Sequence, residues 1–138
     1  MTRVEKIVAP EVPEPPGASW SNCLRIGSEL VFSGITAMGP DGPIGGDSLE
    51  AQTRACFEKL FAQVRAAGGD FGNIYKLVIY VTDIAAKDEV NSARRDMFRP
   101  TYPVSTFLGV SGFVFPGLKV EVDAWANLDI SLHERDSQ

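Results

Sequence analysis

The sequence predicts an α+β fold: one mixed sheet with two helices on one face, in the order ββαβαββ. Three stretches carry that expectation. Residues 118–128 alternate strictly, with Val120, Val122, Ala124 and Ala126 set between Lys119, Glu121, Asp123 and Trp125, which is the period of a half-buried strand. Residues 49–67 repeat apolar side chains at three- and four-residue steps, the period of a helix with one face on a core. Residues 74–82, IYKLVIYVT, are β-branched or aromatic on both faces, as expected of a central strand buried on both sides.

Taken in order, the chain opens on an arm, residues 1–17, in which Pro10, Pro13, Pro15 and Pro16 each remove an amide donor and fix φ. The arm is expected to run extended, with Trp20 either packing it down or facing a ligand. Residues 22–33 form a hairpin about a turn at Gly27-Ser28. Gly34 follows it, where another backbone or a ligand can approach closely. Residues 38–47, MGPDGPIGGD, form a turn-rich loop that matches no phosphate-binding glycine pattern.

Asp47-Ser48-Leu49-Glu50 offers a capping box, and Leu49, Thr53, Cys56, Phe57, Leu60, Val64 and Ala67 make the apolar stripe of the first helix. Gly68-Gly69 supplies its left-handed end. A second helix is expected over residues 87–98, with Val90, Ala93 or Arg94, and Met97 on one side, and Pro100 stops it. Strands at residues 104–110 and 118–128 follow, and the polar tail 131–138, SLHERDSQ, is expected to fray. One domain is expected over residues 1–138.

Composition narrows the function classes. Thirteen basic and 18 acidic side chains give a formal charge of −5, which disfavours a nucleic-acid partner. Arg94, Arg95 and Arg99 cluster, and read as a solvated helix face. No apolar run reaches the ~18 residues of a membrane span, and the N-terminus lacks the apolar segment of a secretory signal. Cys23 and Cys56 have no metal-ligand spacing and read as buried thiols of a cytoplasmic protein. His133 is the one histidine and sits in the tail, so neither a His-based triad nor a metal site is expected.

The charged half of the last strand has two readings. Glu121 and Asp123 either meet water on the outer face of a half-buried sheet or look into a cleft where a carboxyl group has chemistry to do. That face would also hold Val31, Ser33 and Trp125, with no further helix to cover it. Self-association is the economical cover, which leads to a homo-oligomer with ligand sites between subunits.

Further markers punctuate the chain. Val31-Phe32-Ser33-Gly34 closes the hairpin, Gln52-Thr53-Arg54 opens the first helix and Ala66-Ala67-Gly68-Gly69 ends it. Val81-Thr82-Asp83, Val90-Asn91, Tyr102-Pro103 and Lys119-Val120-Glu121-Val122 follow. In this order and at these spacings the markers resemble the Rid/YjgF family of reactive-intermediate deaminases over nearly the whole chain. The resemblance implies a chorismate-mutase-like fold, a homotrimer with a central barrel, and small-metabolite clefts between neighbouring subunits. It implies hydrolysis of an enamine or imine to a 2-oxo acid and ammonia, with no metal or cofactor. Mapped by position, Glu121 would hold or activate the attacking water, and Trp20, Ser33, Gly34, Asn91, Ser105, Thr106 and Phe107 would bind the substrate. A partly desolvated cleft would raise the pKa of Glu121 toward a useful range.

The chain departs from the family pattern at Ser105. Deaminating members carry arginine two residues after the Tyr/Phe-Pro proline, where it grips the substrate carboxylate with two parallel hydrogen bonds. Pro103-Val104-Ser105 places one neutral hydroxyl there. Losing the charged contact costs about 2–5 kcal/mol, roughly 30- to several-thousand-fold in binding or rate. Trp20 stands where the family usually has tyrosine, and Gly17-Ala18 where it has Gly-Pro. Arg99 and Lys119 are candidate substitute cations, each otherwise a solvated side chain. The expected substrate is therefore an imine, enamine or related metabolite other than a simple 2-imino acid. The alternative is a non-catalytic trimer that binds a metabolite or a partner. A ribonuclease activity, sometimes attached to this family, is disfavoured by the acidic charge and the lack of a His or Lys pair at catalytic spacing.

Overall fold

The strictly alternating residues near the C-terminus become the middle of the sheet. In the computed structural model, which describes residues 1–133, the strands are β1 (Val4–Ile7), β2 (Cys23–Ile26), β3 (Glu29–Phe32), β4 (Ile35–Thr36), β5 (Met38–Gly39), β6 (Gly42–Pro43), β7 (Ile74–Val81), β8 (Val104–Gly109) and β9 (Val120–Asn127). The helices are α1 (Leu49–Ala66), between β6 and β7, and α2 (Lys87–Met97), between β7 and β8. β1, β2, β3, β9, β7 and β8 lie side by side in that order, and β4 pairs with β9 beyond β3. Every pairing is antiparallel except β7 with β8, so the sheet is mixed. The parallel pair needs a long crossover, and α2 provides it.

The period-two pattern of β9 sorts its side chains. Val120, Val122, Ala124 and Ala126 are buried, together with Ile74, Leu77, Ile79 and Val81 of β7. They face Cys56, Phe57, Leu60 and Val64 on the predicted stripe of α1, each of these also buried. α1 packs on β9 and β4, and α2 packs on α1, burying Val90 and Ala93. Fully burying one Leu- or Phe-sized side chain stabilises by about 1.5–3 kcal/mol, so this contiguous layer is the main source of stability. Arg54 ties the two helices at the surface, donating to Glu50 Oε2 (3.0 Å) and Asp96 Oδ2 (2.7 Å).

Several elements differ from the sequence reading. The sheet has seven strands, because the arm begins with β1, antiparallel to β2, and because β4 continues the hairpin onto β9. A four-residue strand bearing Glu5 and Lys6 has too few apolar positions to show a period, and its charges suit a sheet edge. The remaining arm is pinned by polar contacts, with Lys6 Nζ donating to Glu14 Oε1 (2.9 Å) and the Asn22 backbone N–H to Glu14 Oε2 (2.8 Å). The α1 cap is Ser48, whose Oγ accepts from the Ala51 N–H. That shift puts Glu50 in the second helical position, where it pairs with Arg54 and the expected Asp47–Glu50 box does not form.

β7 is fully buried on its helix-facing side only, its other side being half-buried. Arg95 and Arg99 are exposed as expected, but Arg94 is half-buried, and desolvation lowers its pKa. Of the tail, Leu132 donates its N–H to Gly72 O (2.9 Å) and His133 sits beside the Phe71 ring; the rest of the expected frayed segment, residues 134–138, lies outside the described residues. Among the described residues no helix is long and apolar enough to cross a membrane.

Among the described residues nothing covers the face of the sheet away from the helices. Register places four exposed apolar residues on it: Val31 and Val104 in a row that passes through Trp125 and Lys76, and Val4 and Ile26 in the row of Glu29 and Asn127. The Lys76 ammonium stands 4.7 Å over the Trp125 ring.

Candidate functional site

Glu121 is the second residue of β9, paired with Thr36 on one side and Tyr80 on the other. Because its neighbours Val120 and Val122 face the helices, Glu121 and Asp123 point to the open face. The two carboxylates have different surroundings. The Tyr80 hydroxyl donates to Asp123 Oδ2 (2.8 Å), whereas no described residue donates to the half-buried Glu121 carboxylate. Burial raises the Glu121 pKa, and the Asp123 charge adds to the effect. A carboxyl group in that condition gives and takes a proton closer to neutrality than an exposed glutamate does.

Gly34 lies where the chain passes from β3 to β4. A Cβ built there would stand 2.6 Å from Glu121 Oε2, so the absent side chain is what lets the carboxylate lie against the backbone. Glu121 opens on a hollow of about 490 Å³ walled by Tyr80, Val110, Phe113 and Val114. Gly34 also borders a second hollow of about 280 Å³, with Trp20, Asn22, Ser33, Lys59 and Phe115 around it.

Trp20 is half exposed, and its Nε1–H donates to Asn22 Oδ1 (3.1 Å). Asn22, through its Nδ2 donation to Val12 O (3.1 Å), holds the arm down, which leaves the indole as a wall of the hollow. Ser33 donates its hydroxyl to Ser21 O (2.7 Å) and so keeps oxygen lone pairs to offer.

Within one chain, then, Trp20, Ser33 and Gly34 border one hollow, and Glu121, which opens on the other, lies against Gly34. Asn91 does not join them: it lies on α2, in the helix layer. Ser105 and Thr106 are exposed on β8, and Phe107 is half-buried against the core. β8 lies beyond β7 from β9, two strand spacings or about 10 Å away. By register Thr106 shares the open face with Val78 and Asp123, while Ser105 and Phe107 pair with Leu77 and Ile79, whose side chains are turned to the helices. The Arg99 guanidinium lies over the Phe71 ring, 5.7 Å from its centroid. Lys119, two residues before Glu121, is half-buried, and its N–H is accepted by Gln52 Oε1 (2.9 Å).

Sequence reasoning missed Tyr80, Lys59, Gln63 and Phe115. Alternation along β7 was a usable signal for Tyr80. Lys59 and Gln63, one turn apart at the rim of the α1 stripe, carry no local signal of a site. Cys23 and Cys56 are unpaired and buried, and burial pushes both thiols up to about 12, far from a reactive thiolate. Among the described residues no group of three or more His, Cys, Asp or Glu side chains is placed to hold a metal.

A family model described as endoribonuclease L-PSP matches residues 12–128. The chain belongs to the Rid/YjgF family. Among solved structures of that fold, a protein of unknown function from Pseudomonas aeruginosa is 46% identical, covering 99% of this chain and 100% of its own, with a TM-score of 0.89. The conserved Rid-family protein YyfA from Yersinia pestis is 27% identical over 91% of this chain and 99% of its own, with a TM-score of 0.82. A RutC family protein from Aquifex aeolicus is 28% identical over 96 residues, 70% of this chain and 76% of the relative. The Rid/YjgF match spans every element from β2 to β9 and so includes Ser33, Gly34 and Glu121.

Proposed function

We propose that this Rid/YjgF protein hydrolyses a small imine or enamine to a carbonyl compound and ammonia, in clefts completed between the subunits of a cytoplasmic homotrimer. The observation that carries the reading is the Glu121 carboxyl, half-buried, without a donor of its own and pressed against the backbone of Gly34. Glu121 takes a proton from water as the water oxygen bonds to the C=N carbon, and returns it to nitrogen. The resulting carbinolamine gives its hydroxyl proton to the same carboxylate, which passes it to the departing nitrogen as the C–N bond breaks. Both protons of the water thus end on ammonia and its oxygen on the carbonyl product. An enamine enters the same sequence as its imine tautomer.

The uncovered sheet face supports the trimer, since exposed Val31 and Val104 need a partner surface. In that assembly Trp20, Ser33, Gly34 and Glu121 form one side of a cleft, and Asn91 with Ser105, Thr106 and Phe107 come from the neighbouring subunit. Two buried, unpaired thiols fit a reducing cytoplasm. With Ser105 in place of the family's arginine, the substrate is not a standard 2-imino acid. Ammonia release from oxidase-generated imines tests the reading, with Glu121→Gln as control. Turnover by the wild type that Glu121→Gln abolishes is the expected result, and turnover unchanged in Glu121→Gln removes Glu121 from the reaction. Ser105→Arg, assayed on a 2-imino acid, is expected to gain activity.

Ser105 also favours a second reading, a non-catalytic trimer that binds a metabolite. Calorimetric binding of 2-oxo acids without turnover of any imine would support it.

A further inference from the structure

The hollow beneath Trp20 has a floor with unused polar capacity. Lys59 and Gln63, one turn apart on α1, both border it. The Lys59 ammonium donates to Thr36 O (2.8 Å) at the end of β4 and to Met38 O (2.7 Å) at the start of β5. An ammonium has three N–H donors, so one remains. No carboxylate among the described residues pairs with this charge; the ion pairs there join Lys6 to Glu14 and Arg54 to Glu50 and Asp96. Gln63 is 1% exposed, yet its Oε1 has no hydrogen-bond partner among the described residues. Buried amides are nearly always paired, so an orphan lining a cavity marks a place where something else supplies the partner. Trp20 and Phe115, each about half exposed, flank the mouth. A volume of about 280 Å³ suits a small metabolite rather than a larger ligand.

We infer that Lys59 and Gln63 form a carboxylate-binding subsite, which takes a small monocarboxylate whose tail lies along Trp20. Lys59 supplies a charge-assisted hydrogen bond to one oxygen. The Gln63 side chain, whose Oε1 has no partner as it stands, turns its amide over so that Nε2–H donates to the other oxygen. Gly34 borders this hollow and lies against the Glu121 carboxylate, so the anchored acid stands one backbone segment from that carboxyl group. The inference rests on the hydrolase reading for the identity of the substrate, and it supplies from α1 the cation that Ser105 does not.

Calorimetric titration with benzoate and with benzamide, its uncharged counterpart, tests the subsite. Wild type is expected to bind benzoate at least about tenfold more tightly than benzamide. Lys59→Gln and Gln63→Leu are each expected to weaken benzoate, Lys59→Gln by about tenfold or more, while Lys59→Arg, which keeps the charge, binds it within a few-fold. Circular dichroism checks each variant's fold. Should Lys59→Gln not fold, Gln63→Leu and Lys59→Arg carry the test. No benzoate binding by wild type, equal binding of benzoate and benzamide, or benzoate affinity unchanged in Gln63→Leu and in folded Lys59→Gln overturns the subsite. Benzoate binding that depends on Lys59, in a protein that turns over no imine, keeps the subsite and removes the hydrolase reading. Imine turnover with an unchanged KM in Lys59→Gln does the reverse.

Discussion

The Glu121 carboxylate rests in the space where Gly34 has no side chain: a Cβ at Gly34 would lie 2.6 Å from Glu121 Oε2 and 2.8 Å from Cδ. Gly34 is not among the glycines with positive φ. Its value is room rather than backbone freedom. The strand-to-strand step at Gly34 therefore sets where the carboxylate can stand.

Gly34→Ala is expected to displace that carboxylate without straining the backbone, because the obstructed atoms are the far end of a flexible side chain. Imine turnover should fall by about tenfold or more, since small misplacements of a reacting group are costly. Stability should change by no more than about 1 kcal/mol. Ammonia release and thermal unfolding on the same preparation check both halves. Unaltered turnover would separate the Gly34 contact from the chemistry.

The pH dependence of stability follows from the raised pKa of Glu121, caused first by burial and then by Asp123. The folded chain keeps this proton at pH values where the unfolded chain has lost it. Stability therefore falls as pH rises from the ordinary value of 4.5 through the raised folded value. Glu121→Gln removes the titration, so it is expected to be more stable than wild type at neutral pH, with the advantage disappearing below about pH 4.5. Denaturant unfolding on both sides of that window measures the difference. Equal stabilities at neutral pH would show that ionising Glu121 costs the fold nothing.

Gln52 joins three separate segments. Fully buried, it donates from Nε2 to Gly46 O (2.7 Å) and Gly117 O (2.9 Å), and its Oε1 accepts from the Lys119 N–H (2.9 Å). Gln52→Leu keeps the bulk and strands three backbone groups, with an expected loss of about 2–4 kcal/mol. Chemical denaturation reads it directly. A loss well below about 1 kcal/mol would mean that water reaches those groups.

Val31 lies opposite Trp125 on the uncovered face and is exposed. Val31→Asp puts a charge where the proposed trimer would bury apolar surface, so sedimentation is expected to shift from trimer to monomer, with secondary structure retained. Turnover should be lost together with the trimer. A wild-type chain that sediments as a monomer at working concentration would refute the shared cleft.

The elements with a long period, and the β2–β3 hairpin with its Gly27-Ser28 turn, were legible beforehand, whereas β1 and β4 were not. The stripe from Leu49 to Ala67 and the alternation along β9 identified α1 and the central sheet, because a repeat of many residues leaves few alternatives. β1 and β4, with four and two residues and no hairpin turn to mark them, exist because β2 and β9 present edges to pair with.

The site divides along the same line. Alternation alone assigned Glu121 to the face opposite Val120 and Val122, since successive side chains of a strand point to opposite sides by covalent geometry. That Glu121 touches Gly34, that Tyr80 engages Asp123 instead, and that Lys59 reaches Thr36 and Met38 were decided by strand register and by the seating of α1. Those contacts join residues far apart in sequence. A local period fixes which way a side chain points, and long-range packing fixes what it meets.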